Sequence, residues 1–186
     1  MSYDDKIVLL PNTADAPNLL QTLHSQGFSG YFAYGSNLSV PQMLFRCPDS
    51  PYICVAVLEG WRWIIGTRGY ATIVRSPHDV VYGYLYLLTP EDEKALDGFE
   101  GPFYKKVEKS VLIGPGILGR DAIQDFKTYV YIEDAREGVP KSDYINRLNT
   151  AFSNATAKGV PSWYIEKYIQ YRSWSSTNCN AGLSND

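Results

Sequence analysis

A short polar turn follows the first clear apolar segment of the chain, and its residue types suit the binding of an anion. The segment 30–34 reads as a buried strand and ends at Gly35, which is followed by Ser36 and Asn37. A glycine and two small polar residues between a strand and a helix can direct several backbone N–H groups towards one anion. On local grounds the same residues also fit a plain tight turn.

Glu100 is the second residue whose surroundings suggest chemistry. It lies between Phe99 and Gly101, just past a predicted helix. Apolar neighbours disfavour the charged form of a carboxyl group and raise its pKa, which is what a general base working near pH 7 requires. A loop carboxylate can equally cap or brace a turn, so both interpretations stay open at this point.

Ser36 is also a candidate nucleophile, which would make the protein an amidase or hydrolase. A catalytic serine needs a base, usually a histidine that is held by a third group. The chain has two histidines, His24 and His78, and Ser36 lacks a Gly-x-Ser-x-Gly sequence around it. The turn-like stretch around His78 is typical of the surface, and a Ser36-dependent amidase is therefore the least favoured alternative.

The elements that must position these residues are mostly short strands. Runs rich in Val, Ile, Tyr and Trp, separated by Gly, Pro and Asp, predict strands at 30–34, 52–58, 61–65, 72–75, 80–88, 105–113 and 127–132. Helices are predicted at 19–23, 39–45, 90–97, 142–158 and from residue 161 onward. The helix that starts at Pro90 should end at Gly98. Strands that do not strictly alternate with helices favour an α+β fold with a closed or nearly closed sheet.

Composition narrows the functional classes. The chain has 186 residues, with 17 Lys and Arg against 20 Asp and Glu, and its formal net charge of −3 argues against nucleic-acid binding. It lacks an apolar run of about 18 residues, so we expect no membrane span. Cys47, Cys54 and Cys179 show no Cys-x-x-Cys spacing, which argues against a metal site. An acidic N-terminus without a signal-like apolar region favours a cytoplasmic location.

Several motifs together resemble one known family. Residues 31–38, Tyr-Phe-Ala-Tyr-Gly-Ser-Asn-Leu, are similar to the signature of the γ-glutamylcyclotransferases within the AIG2-like superfamily. Further similarity lies at 71–74, at 81–86, and in the sequence Leu96-Asp97-x-x-Glu100-Gly101, which is followed by Tyr104. Tyr129 resembles a tyrosine in a late strand of the family. The resemblance covers residues 30–171, approximately.

This resemblance implies a small mixed β-barrel with flanking helices that needs neither cofactor nor metal. It implies that Glu100 is the acid/base residue and that substrate is bound by Tyr31, Phe32, Ala33, Tyr34, Gly35, Ser36, Asn37, Tyr104 and Tyr129. The catalytic domain would span 29–174, between an N-terminal extension, 1–28, and a disordered tail, 175–186.

The reaction implied is cyclisation of a small γ-glutamyl molecule to 5-oxoproline with release of its amine component. The substrate would be a γ-glutamyl amino acid, glutathione or a glutathione conjugate. Its own α-amine attacks the γ-carbonyl, so no protein nucleophile is required. The main alternative is a catalytically silent AIG2-like protein that binds a small molecule. The sequence leaves open whether the protein acts alone or as a homodimer.

Overall fold

The computed structural model describes residues 25–113 and 124–169. Within them lie five strands: β1 Ser29–Ala33, β2 Tyr52–Ile65, β3 Ala71–Leu88, β4 Lys105–Ile113 and β5 Gln124–Ile132. The helices of this part are α1 Val40–Arg46, α2 Pro90–Glu100, α3 Ser142–Ala157 and α4 Ser162–Ile169, with a 3₁₀ turn at Ser36–Leu38. The predicted helix at 19–23, the tail at 175–186 and nearly all of the N-terminal extension at 1–28 lie outside the described residues.

The five strands close into a barrel in the order β1-β3-β2-β4-β5. Neighbouring strands are antiparallel except β1 and β5, which run parallel where Tyr31 pairs with Tyr129. In this closed order every described strand has a neighbour on both sides, which limits the exposed strand edges that favour aggregation. The predicted α+β fold with a small mixed barrel is confirmed.

The close approach of β1 to β3 depends on Gly83. A Cβ atom at this position would lie 2.5 Å from the Ala33 carbonyl oxygen and 2.5 Å from the Phe32 ring, a separation that side-chain carbons do not adopt. The large side chains of Phe32, Tyr84 and Leu85 pack at this seam with no exposed surface. The seam fixes where β1 ends, and therefore where the polar turn after it begins.

Two predicted pairs of strands are in fact two long strands. Residues 52–58 and 61–65 join into β2 through a register shift between Glu59 and Trp61, at Gly60, whose φ of 76° suits glycine. Residues 72–75 and 80–88 join into β3, where Pro77 lies opposite the same irregularity and interrupts no ladder hydrogen bond of the β2 pairing. The prediction of separate strands was wrong because Gly and Pro here mark a bulge.

Helix α2 delivers Glu100, and its end differs from the prediction. Thr89 caps the helix by accepting a hydrogen bond from the Asp92 N–H at 3.2 Å, and Pro90 occupies the first turn. The helix continues through Gly98, around which no atom would obstruct a side chain, and stops at Gly101, whose φ is 68°. Glu100 is therefore the last residue of the helix and does not lie in a loop beyond it.

Polar contacts fasten α2 to the barrel along its length. Near its start, the buried Asp92 carboxylate accepts from Ser50 Oγ at 2.7 Å and from the Asp49 N–H at 2.9 Å. Further along, Asp97 accepts from Lys106 of β4 at 3.1 Å and from the Tyr131 hydroxyl of β5. Since Asp97 lies one turn before Glu100, these contacts fix the helix end that carries Glu100.

Candidate active site

A cavity, which together with its open mouth measures about 310 Å³, lies where the turn after β1 meets the end of α2. Five of the ten lining residues are tyrosines, and the others are four small residues and one carboxylate. Its lining residues are Tyr31, Tyr34, Gly35, Ser36, Asn37, Ala71, Glu100, Tyr104, Tyr131 and Tyr144.

Glu100 is the carboxylate of this cavity, and its side chain is only 15% exposed. Burial raises the pKa of Glu100 above its ordinary value, while the Arg46 guanidinium and the hydrogen bond from Asn37 act in the opposite direction. Arg46 Nη1 lies 3.5 Å from Glu100 Oε1. A carboxyl group in such surroundings can both accept and return a proton closer to neutral pH than an exposed glutamate can.

Asn37 organises the polar side of the cavity. Its Nδ2 donates to the Tyr31 hydroxyl at 2.8 Å and to Glu100 Oε1 at 3.1 Å. Its Oδ1 accepts from Gln42 Nε2 at 2.7 Å and from Arg46 Nη1 at 3.0 Å. Since arginine can only donate, the Arg46 contact fixes which way the Asn37 amide points, and the amide hydrogens then face Glu100.

Gly35 sits where the turn passes close to two other elements. A Cβ atom there would lie 3.1 Å from the Tyr144 hydroxyl of α3 and 3.2 Å from the Ala71 Cβ of β3. The indole N–H of Trp63 donates to the carbonyl of Tyr34, the residue before Gly35, at 3.0 Å. The turn is held from both sides, so its backbone presents a fixed surface to the cavity.

The tyrosine wall is tied to backbone groups. The Tyr104 hydroxyl donates to the Ala71 carbonyl at 2.8 Å, and the Tyr34 hydroxyl donates to the Tyr131 carbonyl. Burial raises the pKa of Tyr34, Tyr104 and Tyr144, so these hydroxyls stay protonated at neutral pH. These parts of the wall are thus neutral, and Glu100, which lies beside Arg46, is the ionisable carboxylate of the described lining.

Seven of the ten predicted site residues meet at this cavity. They are Tyr31, Tyr34, Gly35, Ser36, Asn37, Glu100 and Tyr104. Among the described lining residues we do not find Phe32, Ala33 or Tyr129. Successive side chains of a strand point to opposite faces, so Phe32 turns away from the face that carries Tyr31 and packs at the Gly83 seam.

Tyr131 lines the cavity, whereas Tyr129 of the same strand is not among its described lining residues, and the substrate-binding role of Tyr129 stays a prediction. Both tyrosines share one face of β5, as the period of two requires. The Lys106 ammonium lies over both rings, 4.9 Å from the Tyr129 centroid and 5.9 Å from that of Tyr131. Tyr131 lies next to the last residue of β5, and Tyr129 is paired with Tyr31 of β1.

Three lining residues were not predicted as site residues: Ala71, Tyr131 and Tyr144. Tyr144, Leu148 and Phe152 follow one another at intervals of four residues in α3, and all three are buried. This spacing indicates core packing, and the sequence carried no separate signal for the approach of the Tyr144 hydroxyl to Gly35.

Other reactive groups are scarce in the described part of the chain. Burial raises the pKa of the Cys47 and Cys54 thiols to about 12, so neither is a ready nucleophile. Across residues 25–113 and 124–169, no cluster of three or more His, Cys, Asp or Glu side chains could hold a metal ion. None of the helices in these ranges is long and apolar enough to cross a bilayer.

The comparison with known families decides the identity of this fold and cavity. The family model for AIG2-like γ-glutamyl cyclotransferases matches residues 31–146, which contain the polar turn, Glu100 and Tyr144. The chain belongs to this family. The predicted family and the predicted class of enzyme, a γ-glutamylcyclotransferase, are thereby confirmed.

Relatives and a solved structure extend the match to this family over most of the chain. The γ-glutamylcyclotransferase of Homo sapiens is 28% identical over 150 residues, covering 74% of this chain and 75% of the human protein. That of Bos taurus is 33% identical over 150 residues, with the same shares covered. A solved γ-glutamyl cyclotransferase is 25% identical with a TM-score of 0.62, and the match covers 75% of this chain and 85% of that one.

Proposed function

We propose that this γ-glutamyl cyclotransferase family member cyclises a small γ-glutamyl molecule to 5-oxoproline and releases the amine component, with Glu100 as general acid and base. The observation that carries the proposal is the Glu100 carboxylate. It is largely buried, its pKa is raised, and it lines the same cavity as the polar turn 35–37. The substrate is a γ-glutamyl amino acid, glutathione or a glutathione conjugate.

The reaction exchanges one C–N bond for another. Glu100 takes a proton from the substrate's α-ammonium group, and the freed amine attacks the γ-carbonyl carbon to close a five-membered ring. The bond from that carbon to the leaving nitrogen then breaks, Glu100 returns the proton to this nitrogen, and the ring nitrogen loses its second proton to solvent. Holding the two reacting groups in ring-closing geometry can lower the barrier by about 7–11 kcal/mol at best.

The polar turn has a separate task in this mechanism. Backbone N–H groups around Gly35, Ser36 and Asn37 hold the substrate α-carboxylate or the oxyanion that develops on the γ-carbonyl oxygen. The Asn37 amide, which donates to Glu100 Oε1, holds the carboxylate in one orientation. The neutral tyrosine wall supplies apolar contact area with hydroxyl tips, suited to a small polar substrate.

The direct test is product formation. The purified protein is incubated with γ-glutamyl-alanine and, separately, with glutathione, and 5-oxoproline is measured by mass spectrometry. Release of 5-oxoproline from either substrate supports the proposal. Saturable binding of both compounds without any product would instead support a catalytically silent binding protein. A cytoplasmic location and a homodimer stay predictions.

Substitution of Ser36 separates the cyclotransferase from a serine amidase. Ser36 Oγ accepts from Gln42 Nε2 at 2.9 Å, and among the described residues no histidine contacts it, His78 being exposed on the surface. We expect Ser36→Ala to lower kcat/KM less than about tenfold, the cost of one neutral hydrogen bond. Loss of turnover beyond about 10³-fold, together with an acyl-enzyme trapped on wild-type Ser36, would favour the amidase.

The pH dependence expected of this site follows from the pKa of Glu100, which burial raises and the charge of Arg46 lowers. Because the base must be ionised, kcat/KM should fall as the pH drops through the raised pKa of Glu100, so the acidic limb should lie above that of an exposed glutamate, whose pKa is about 4.3. The Arg46 charge favours the ionised form. Removing it in Arg46→Gln should raise the Glu100 pKa and move the acidic limb to higher pH.

This shift is measured from the pH profile of kcat/KM. A range of about pH 4 to 9 includes both limbs of the profile for a carboxylate-dependent reaction. Arg75→Gln is the matched control, because Arg75 also lies over an aromatic ring, 5.1 Å from the Trp61 centroid, but on the outer surface of β3. An acidic limb that is unmoved in Arg46→Gln, or moved equally in Arg75→Gln, would contradict the assignment of Glu100 as the titrating base.

A further inference from the structure

Three cationic side chains surround one tyrosine beside the cavity. Arg68, Lys141 and Arg147 lie 5.7, 4.7 and 5.9 Å from the centroid of the Tyr70 ring. We call these three cations and Tyr70 the basic rim. Lys141 also donates to the Tyr70 hydroxyl at 3.3 Å, and within the described ranges it forms no ion pair with a carboxylate.

Backbone contacts hold the basic rim together. The turn 66–70 and the segment 137–141 are pinned side by side by hydrogen bonds from Gly138 N to the Ile65 carbonyl at 2.8 Å and from Lys141 N to the Gly69 carbonyl at 3.2 Å. Gly69 has a φ of 84° and a Cβ there would lie 2.7 Å from the Lys141 side chain. These backbone contacts therefore hold Arg68 and Lys141 close to each other.

Arg68 is the most firmly placed of the three cations. Its guanidinium stacks 3.7 Å from the Phe103 centroid, and Nη1 lies 3.4 Å from Glu133 Oε1. The Glu133 side chain is 8% exposed, and its Oε2 has no hydrogen-bond partner among the described residues. A buried carboxylate with so few partners retains a nearby cation strongly, because leaving it alone is costly.

Arg68 nevertheless keeps donors for a ligand. Its side chain is 34% exposed, and the contact with Glu133 uses one of its two terminal nitrogens. A guanidinium presents five N–H groups in a planar fork that matches a carboxylate in two-point contact. A guanidinium that is held in place, is partly exposed and still has N–H groups without an acceptor among the described residues is suited to binding an anionic ligand.

The basic rim adjoins the wall of the cavity through Tyr70 and Phe103. Tyr70 directly precedes the lining residue Ala71, and its ring packs 5.1 Å from that of the lining residue Tyr144. Phe103, on which Arg68 stacks, directly precedes the lining residue Tyr104. Burial raises the pKa of Tyr104 and the Arg68 charge opposes this rise, which places Arg68 within electrostatic reach of the cavity wall.

We propose that Arg68, supported by Lys141, determines specificity by binding the carboxylate of the leaving group, so that the enzyme prefers γ-glutamyl amino acids and peptides over γ-glutamyl derivatives of uncharged amines. This inference rests on the proposed function. The γ-glutamyl part is common to every substrate and fits the enclosed polar turn. The variable leaving part must extend towards solvent, where the basic rim lies.

Two substrates that differ by one charge test the proposal. γ-Glutamyl-alanine carries a carboxylate on its leaving group, and γ-glutamyl-alaninamide replaces it by a neutral amide of nearly the same size. We expect wild-type kcat/KM to be higher for the acid by about tenfold, the scale of a charge-assisted hydrogen bond at a partly exposed site. In Arg68→Gln the value for the acid should fall to that of the amide, which itself should change less than about twofold.

The variants are chosen so that a folding defect cannot imitate the result. Arg68→Gln leaves Glu133 buried without its cation, so the double variant Arg68→Gln/Glu133→Gln removes both charges and should lose the same preference. Lys141→Gln, at an exposed position, should reduce the preference by about two- to threefold, as a weaker surface contact does. Arg75→Gln is the control and should keep the wild-type ratio.

The outcomes separate this inference from the proposed function. If neither of these substrates yields 5-oxoproline, and glutathione and its conjugates do not yield it either, the proposed function fails. If both are turned over and the acid-to-amide ratio is the same in wild type and in the Arg68 variants, the cyclotransferase assignment stands and the specificity inference is overturned. An equal fall for both substrates would also overturn it, because Arg68 would then bind the common γ-glutamyl part.

Discussion

Replacing Glu100 with glutamine should lower kcat for 5-oxoproline release by about 10²- to 10⁴-fold, the usual contribution of a general acid–base residue. Glutamine has nearly the same shape, and its amide oxygen can still accept the hydrogen bond that Asn37 donates at 3.1 Å. It cannot take up a proton from the substrate ammonium group. We therefore expect the dissociation constant for γ-glutamyl-alanine, measured by calorimetry, to change little while turnover is lost.

Glu91→Gln is the matched control for this experiment. Glu91 lies in the first turn of the same helix and is exposed, so the substitution removes one negative charge from α2 without touching the cavity. Its kcat should stay near that of the wild type. Near-normal turnover in Glu100→Gln, with the fold verified by circular dichroism, would rule out the acid–base role that we assign to Glu100.

Asn37→Ala should have the second-largest effect, a fall in kcat/KM of about 10- to 100-fold. The substitution removes the donor that orients the Glu100 carboxylate and, with it, the donor to the Tyr31 hydroxyl. Both contacts are made by one amide group whose direction is fixed by Arg46. Since the Asn37 hydrogen bond favours the ionised form of Glu100, its loss should also raise the Glu100 pKa and move the acidic limb of the pH profile upwards.

The comparison variant for Asn37 is Asn146→Ala, an exposed asparagine on α3. It should leave both kcat/KM and the pH profile unchanged. An Asn37→Ala enzyme with a lower kcat/KM but an unshifted acidic limb would show that Asn37 binds substrate without acting on Glu100. Unchanged kinetics would show that the contacts around the Asn37 amide have no part in catalysis.

The site could be located from sequence where residue type and position along the chain agree. The polar turn was identifiable because glycine and small polar residues followed a buried strand, and Glu100 because a carboxylate stood between Phe99 and Gly101. Choosing between a tight turn and a binding site required the family resemblance, since local propensity is the same for both. The structure adds that these segments, 63 residues apart at Asn37 and Glu100, are joined by one hydrogen bond.

The differences between the sequence-based predictions and the structure depend on tertiary contacts, which local sequence patterns do not show. Gly98 was expected to end the helix, but glycine inside a helix costs only about 1 kcal/mol, less than the contacts that hold α2 in place contribute. The family resemblance pointed to Tyr129, whose role stays a prediction, and the structure adds Tyr131, on the same strand face, to the cavity lining. Tyr144 reads as core from its spacing, and it is buried, yet its hydroxyl also meets the turn at Gly35.

The two ends of α2 have opposite effects on the stability of a negative charge. Aligned peptide dipoles leave partial positive charge at the first turn of a helix and partial negative charge at its last turn. Glu91, Asp92 and Glu93 in the first turn are therefore stabilised by the helix, whereas Glu100 at the last turn is repelled by it. The helix that carries the candidate base therefore places it at the end where the peptide dipoles favour negative charge least. A relative whose helix ran one turn further would keep the carboxylate but move it away from that end, because the effect falls off within the last turn.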